Sequence, residues 1–300
     1  MTFIEFCEAH GLIIDRPFKP GKWGRYRTKT HPRKRNAAAK LDGDIGFVID
    51  FSVGTKAEIW RSDKPQIVNP VVLRETIKRN DEERRLAQEK AAMRASMIIS
   101  KCVTGRHEYL RRKGFPDEKG LIWCHDGTEH LIVPMRDELE QLVGLQTIDS
   151  DGNKRFLYGQ KTRGANFMMG RGGKHILCEG YATGLSVRDA MRALKQNVSV
   201  HVCFSAGNLV EVSKRLNPGL VVADNDASRT GEIKAKETGW AYWISDREGE
   251  DYNDYMRRVG MRAASDALFR SLYPIRREVC SVDSLAGAIG ARKLIHEGHS

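Results

Sequence analysis

Asp224 and Asp226 stand one residue apart, directly after the apolar run Leu220-Val221-Val222-Ala223. In extended chain, residues i and i+2 point to the same side. Two carboxylates so placed can share one hard divalent cation. Mg²⁺ takes oxygen ligands and commonly only one or two carboxylates, which leaves positions for water and a substrate phosphate. A third acid, Glu179, follows the short apolar run Ile176-Leu177-Cys178. An acidic loop from Asp246 to Asp254 follows a third run at 240–244. Clustered carboxylates repel one another unless a cation resolves them. Gly180, next to Glu179, lets the backbone turn sharply and approach a ligand closely. A D-x-D pair alone is also what turns and helix caps use. The ordered series strand–E–G, strand–D-x-D and a later acidic D-x-N is far more specific.

A second constellation lies near the start of the chain. From Arg16 to Lys40 there are ten Lys or Arg and no acid, with Trp23 and Tyr26 interleaved. Cations track a phosphate backbone, and aromatic rings stack on bases. The stretch is therefore a candidate nucleic-acid surface through Trp23, Arg25, Arg27, Arg33, Lys34 and Arg35. The plain alternative is a solvated basic loop. Cys124, His125 and His130 fit no usual zinc spacing. Ser205-Ala206-Gly207 has no partner His or Asp at telling positions. Cys178 and Cys203 fall in expected strands and read as core.

The elements that must position these residues follow from periodicity. From 174 onward, short apolar runs alternate with helical spacing. One helix has Val187, Ala190, Met191 and Leu194 at i, i+3, i+4 and i+7. Further helices are expected over 209–216 and 232–238, and one from Tyr252 through Ala263. Strands alternating with helices make βαβ units and a largely parallel sheet. In such sheets ligands bind beyond the carboxyl ends of the strands, where the acids lie. Upstream, runs at 121–123, 131–133 and Leu142–Ile148, then Phe156-Leu157-Tyr158, read as an antiparallel meander. Residues 71–113 read as helical, and Asn80 or Asp81 could start a new segment there. Their mixed charge suggests a connector or exposed arm rather than a core element. Phe3, Phe6 and Cys7 give a short amphipathic helix before a mostly β module.

Composition bounds the rest. Three hundred residues with 40% hydrophobic and 30% charged content suit a soluble chain with at least one filled core. Fifty Lys and Arg against 39 Asp and Glu give +11, which hints at a polyanionic partner. No apolar run approaches the roughly 20 residues that span a bilayer. Glu5 and Glu8 stand where a secretory signal would be basic. Six cysteines without a C-x-x-C pair suggest reduced thiols in the cytoplasm.

His175-Ile176-Leu177-Cys178-Glu179-Gly180-Tyr181-Ala182-Thr183, followed by Val221-Val222-Ala223-Asp224-Asn225-Asp226, resembles the Toprim domain of phage and plasmid primases. Gly249-Glu250-Asp251-Tyr252-Asn253-Asp254-Tyr255 is similar to that domain's third acidic motif. Residues 131–137, 143–146 and 154–157 are similar to the basic subdomain that precedes Toprim in primases. Residues 21–60 look like the N-terminal module of some phage Toprim proteins, a looser match. The likeness covers roughly 20–260. It implies a catalytic acid or base at Glu179, and Mg²⁺ or Mn²⁺ on Glu179, Asp224, Asp226 and Asp251. Arg136, Lys154, Arg155 and Lys161 would hold nucleotide phosphates or template. Three departures stand out. No cysteine set could form the zinc ribbon that helps cellular primases choose a start site. Thr183 stands where the family often has Asp. There is no G-x-x-x-x-G-K-[ST] motif of a fused helicase.

The reading is an α/β protein with a Toprim domain whose parallel sheet is flanked by helices. A mixed, β-rich basic subdomain and a small N-terminal β-rich module precede it. The expected parts are 1–65, a basic N-terminal module; 66–113, a helical connector; 114–172, the primase-type subdomain; 173–275, Toprim; and 276–300, a tail. The expected function is a primase-like nucleotidyltransferase of a phage or plasmid, acting in the cytoplasm of the host. It would bind single-stranded DNA, use nucleoside triphosphates and work beside a separate helicase. A Toprim-type nuclease is the first alternative, since the same acids can cleave rather than join. A non-catalytic nucleic-acid-binding factor of replication or counter-defence is the second. The basic subdomain favours the primase.

Overall fold

The structure, a computed structural model, describes residues 1–51, 57–63 and 70–273. The expected tail, 276–300, lies outside the described residues. Three five-stranded sheets follow one another along the chain. The first begins with helix α1 (Phe3–Ala9), whose start is closed by a capping box. The Thr2 hydroxyl accepts the Glu5 N–H at 3.2 Å, and the Glu5 carboxylate accepts the Thr2 N–H at 2.8 Å. Strands β1 (Leu12–Ile13), β2 (Gly24–Thr28), β3 (Ala37–Asp42), β4 (Ile45–Asp50) and β5 (Glu58–Arg61) then pair antiparallel in sequence order. Phe3 and Cys7 of α1 pack on Tyr26, Ala37, Ala39 and Val48 of this sheet.

Helix α2 (Pro70–Ile99) runs unbroken through Asn80 and Asp81, so neither residue starts a new helix. Ion pairs from Arg84 to Asp81 and from Arg85 to Glu82 and Glu89 link successive turns there. Its last third is not an exposed arm. Ala95 and Ile98 are buried against Ile132 and Leu145. The segment expected to be wholly helical also carries a strand, β6 (Val103–Gly105), before α3 (Glu108–Arg112). The β-branched pair Val103-Thr104 favours a ladder over a further helical turn. β6 pairs with β7 (Gly120–His125), and β8 (Thr128–Arg136), β9 (Leu142–Ile148) and β10 (Lys154–Phe156) complete an antiparallel meander ordered β10-β9-β8-β7-β6.

The third sheet contains β11 (Phe167–Met169), β12 (Lys174–Cys178), β13 (Val198–Val202), β14 (Leu220–Ala223) and β15 (Ala241–Ile244). Its order is β11-β13-β12-β14-β15, with β11 antiparallel at one edge and the other four parallel. The connecting helices are α4 (Tyr181–Ala193), α5 (Ala206–Ser213) and α6 (Thr230–Glu237), followed by α7 (Tyr252–Val259) and α8 (Met261–Leu272). Strand alternation divides the core. Ile176 and Cys178 face Leu185 of α4 and Leu268 of α8, while Leu177 faces Leu209 of α5 and Ala235 of α6. The first of these cores continues into the meander through Leu110, Ile122, Leu131 and Ile148. The single helix expected from Tyr252 to Ala263 is instead two. Gly260, at φ +84°, ends α7 in a conformation that most side chains resist. No helix among the described residues is long and apolar enough to cross a membrane.

Candidate active site

β12 and β14 are neighbours in register, Cys178 beside Val222, so Glu179 and Asp224 emerge side by side at their carboxyl ends. The loops after β14 and β15 are tied together. Asn225 N–H donates to Glu250 O at 3.3 Å, Gly249 N–H to Asn225 O at 2.6 Å, and the Asn225 amide to Ser245 O at 3.1 Å. This clasp brings Asp251 to the same edge. Gly231 is required where α6 begins. A Cβ there would lie 2.5 Å from Asp224 O and 3.2 Å from Glu179 Oε1.

The electrostatics follow from that crowding. Burial and the charges of Asp224 and Asp226 push the Glu179 carboxyl up to about 8, against the pull of the Ala206 N–H and Lys154. Burial and Asp251 push Asp224 up to about 6, partly offset by Lys154 and Lys113. Asp224 Oδ1 is buried and has no hydrogen-bond partner. Asp226 is exposed, and its Oδ1 accepts the Ser228 hydroxyl at 2.7 Å and the Thr230 N–H at 3.2 Å. Asp251 caps α7 by accepting the Asp254 N–H at 2.8 Å, with the Lys113 ammonium 3.7 Å away. Glu250 is engaged elsewhere, by Arg258 and Ser245, which hold its carboxyl down at about 2.

Asp224 and Asp251 line a cleft of about 490 Å³, and Glu179 and Asp226 are not among its lining residues. Residues from outside the parallel sheet line it too: Arg112 and Lys113 at the end of α3, Lys154 at the start of β10 and the acid Asp151 in the turn before it. Tyr109, Thr183 and Arg257 also line it. Asn253 fixes the position of Lys113. Its amide is wholly buried and donates to Lys113 O and to the Ser186 hydroxyl, both at 2.9 Å. Asn253→Ala should therefore lower stability by about 1–3 kcal/mol, since it strands the Lys113 carbonyl in the core. Chemical denaturation checks this.

Only Lys154, among the four basic residues expected at the nucleotide, lines this cleft. Arg155 is exposed and alternates to the opposite side of β10. The Arg136 guanidinium donates to Glu140 O at 2.8 Å and borders a separate depression with Asn166 and Arg171. Lys161 sits 3.7 Å from both Asp137 and Glu138. Arg112, Lys113 and Arg257 were not foreseen. They lie on or beside helices, and nothing in their local sequence says which strand end they will meet.

None of the six basic-module candidates lines the cleft. Trp23 is 51% exposed. The Arg25 guanidinium carbon lies 4.4 Å over the Phe51 ring. Arg27 and Arg35 share Asp15, at 3.0 and 3.7 Å. Arg33 and Lys34 are exposed and have no acidic partner among the described residues. Each phosphate neutralised on a single strand contributes about −0.7 to the slope of log K against log salt. Arg33→Ala with Lys34→Ala should thus flatten that slope by about 1.4, similarly for all sequences. A salt titration of single-stranded DNA binding measures it.

The donor set is all carboxylate oxygen, which suits Mg²⁺ or Mn²⁺. The unpartnered Asp224 oxygen and the raised carboxyls fit a missing positive charge. Among the described residues no three His, Cys, Asp or Glu side chains close into a ready-made cage.

A Toprim domain family model matches residues 174–262. That segment holds β12 to β15 and Glu179, Asp224, Asp226, Glu250 and Asp251. Among solved structures, the primase fragment of the bacteriophage T7 primase-helicase protein is similar, at 16% identity and a TM-score of 0.38, over 55% of this chain and 69% of that one. A bacteriophage T7 lagging-strand DNA polymerase complex with primase domains gives 16% and 0.39, over 55% and 85%. A DNA primase domain from Pseudomonas aeruginosa gives 16% and 0.34, over 59% of each chain.

Proposed function

We propose that this Toprim-containing chain is a primase-like nucleotidyltransferase that joins nucleoside triphosphates into short primers on single-stranded DNA. The observation that carries the reading is one cleft lined by the acids Asp224 and Asp251 together with the cations Arg112, Lys113 and Lys154. A triphosphate needs both. Its charge is met by basic side chains, and its reacting phosphate must sit beside a divalent ion. Glu179, Asp224, Asp226 and Asp251 are the residues that would hold Mg²⁺ or Mn²⁺. The ion, when bound, neutralises charge on the transferring phosphoryl group and on the leaving oxygen.

The chain's own residues do the rest. Lys113, Arg112 and Lys154 bind and orient the phosphates, which holds the reacting atoms in line. Arg257 borders the same space. Glu179 Oε1 or Oε2 takes the proton from the attacking 3′ hydroxyl. The O3′–P bond forms, the bond to pyrophosphate breaks, and the proton passes from Glu179 to solvent. Unwound template would have to be supplied, so a separate replicative helicase is the partner this reading calls for.

The test is incubation with a mixed-sequence single-stranded template, labelled nucleoside triphosphates and Mn²⁺. Short labelled products are expected. Cleavage of the template without synthesis would convert the reading to a nuclease.

A further inference from the structure

The antiparallel sheet β1–β5 has one covered face and one open face. Tyr26, Ala37, Ala39 and Val48 turn inward onto α1. Alternation sends Arg25, Ala38, Lys40, Phe47, Ile49 and Ile59 to the other side. The ladder sets them in rows: Arg25, Ala38, Ile49 in one, and Lys40, Phe47, Ile59 in the next. A one-sided antiparallel sheet ordinarily offers alternating polar residues to water. This face instead offers Trp23 at 51%, Ile59 at 54% and Phe51 at 39% exposure. The Trp23 and Phe47 ring centroids are 6.2 Å apart, across β3, and Arg25 lies over Phe51.

Cations outnumber acids on this face, where alternation places Arg25, Arg27, Lys40 and Arg61 against Asp42. Lys40 is held by Asp42 at 3.0 Å, and Arg27 by Asp15. Arg25 and Arg61, with Arg33 and Lys34 in the β2–β3 loop, have no acidic partner among the described residues. An apolar protein partner would leave these cations without counter-charge. A polyanion with exposed π-faces satisfies both features at once, and a duplex hides its base faces while a single strand presents them.

We propose that this open face binds single-stranded DNA, with bases stacked on Trp23, Phe47 and Phe51 and phosphates drawn by Arg25 and Arg61. It deepens the primase reading by assigning a template grip apart from the residues of the acid cleft. Binding here requires no catalysis, so the two can fail separately.

The experiment uses the full chain and a fluorescein-labelled oligo-dT of about 20 nucleotides, longer than the roughly 4–16 nucleotides such surfaces cover. Anisotropy is followed against salt, and melting temperature monitors the fold. Trp23→Ala and Phe47→Ala should each weaken binding roughly 5- to 150-fold with the salt slope unchanged. Trp23→Phe should retain most of the affinity. Arg25→Ala with Arg61→Ala should flatten the slope by about 1.4. Variants that melt normally and bind normally would overturn the proposal. So would loss of self-association in sedimentation with DNA binding unchanged, which would make the face a contact between copies. Face-dependent binding without any primer synthesis would end the primase reading and leave this one standing.

Discussion

If the proposed activity is primer synthesis, Asp224→Asn is expected to lower it by roughly 10³-fold or more, because a metal held at this site would supply several kcal/mol of charge stabilisation. The same change should make the metal-free protein more stable. Asp224 Oδ1 is buried without a partner, and Asp251 repels its charge. An amide of the same shape removes that repulsion. A variant that is inactive yet melts at or above the wild-type temperature separates loss of chemistry from loss of fold. A variant that keeps near-normal turnover would remove Asp224 from the reaction.

Glu179→Gln is expected to cost on the order of 10²-fold or more in rate, the usual range for a positioned acid or base. Its effect on stability has a defined pH dependence. Burial and neighbouring carboxylates raise the folded-state pKa from 4.5 to about 8. The native state therefore holds a proton that the unfolded chain has released, and native stability falls as pH rises through that window. Glutamine has nothing to titrate. The stability advantage of Glu179→Gln over wild type should be near zero below about pH 4.5, grow to about 4 kcal/mol near pH 8, and then level off. Denaturation at several pH values in EDTA measures it. His201, buried neutral with its pKa lowered to about 4, weakens both proteins equally as pH falls below its usual value. The difference between them is unaffected.

The parallel sheet was legible because its strands are short, largely apolar and bounded by turn residues, and because 3.6-residue spacing intervenes. The gathering of Glu179 and Asp224 came from one rule: parallel strands that end at the same edge bring their next residues together there. The cations lining the cleft were not legible. Lys113 reaches Asp251 across 138 positions of sequence, and only tertiary packing through Asn253 decides that meeting. The same limit applied to β6, a three-residue strand whose partner lies beyond a helix. Arg136 and Lys161 carry the right charge, but each is engaged locally, by Glu140 O and by Asp137 and Glu138. Charge in a motif reports a residue's chemistry and leaves its partner to the fold. The outward face of β4 was half visible. Residues 45–51 read as an apolar, β-rich run, yet which of them face water depends on where α1 docks.

The central claim is that the buried acids at the strand ends form a divalent-ion site beside phosphate-binding cations. Mn²⁺ titration followed by electron paramagnetic resonance tests it most directly, because free Mn²⁺ gives a strong signal that bound ion loses. Wild-type protein should take up Mn²⁺, Mg²⁺ should compete, and a nucleoside triphosphate should tighten the uptake. Asp224→Asn with Asp226→Asn should abolish that uptake while the fold persists. Equal Mn²⁺ uptake by wild type and the double variant would contradict the account.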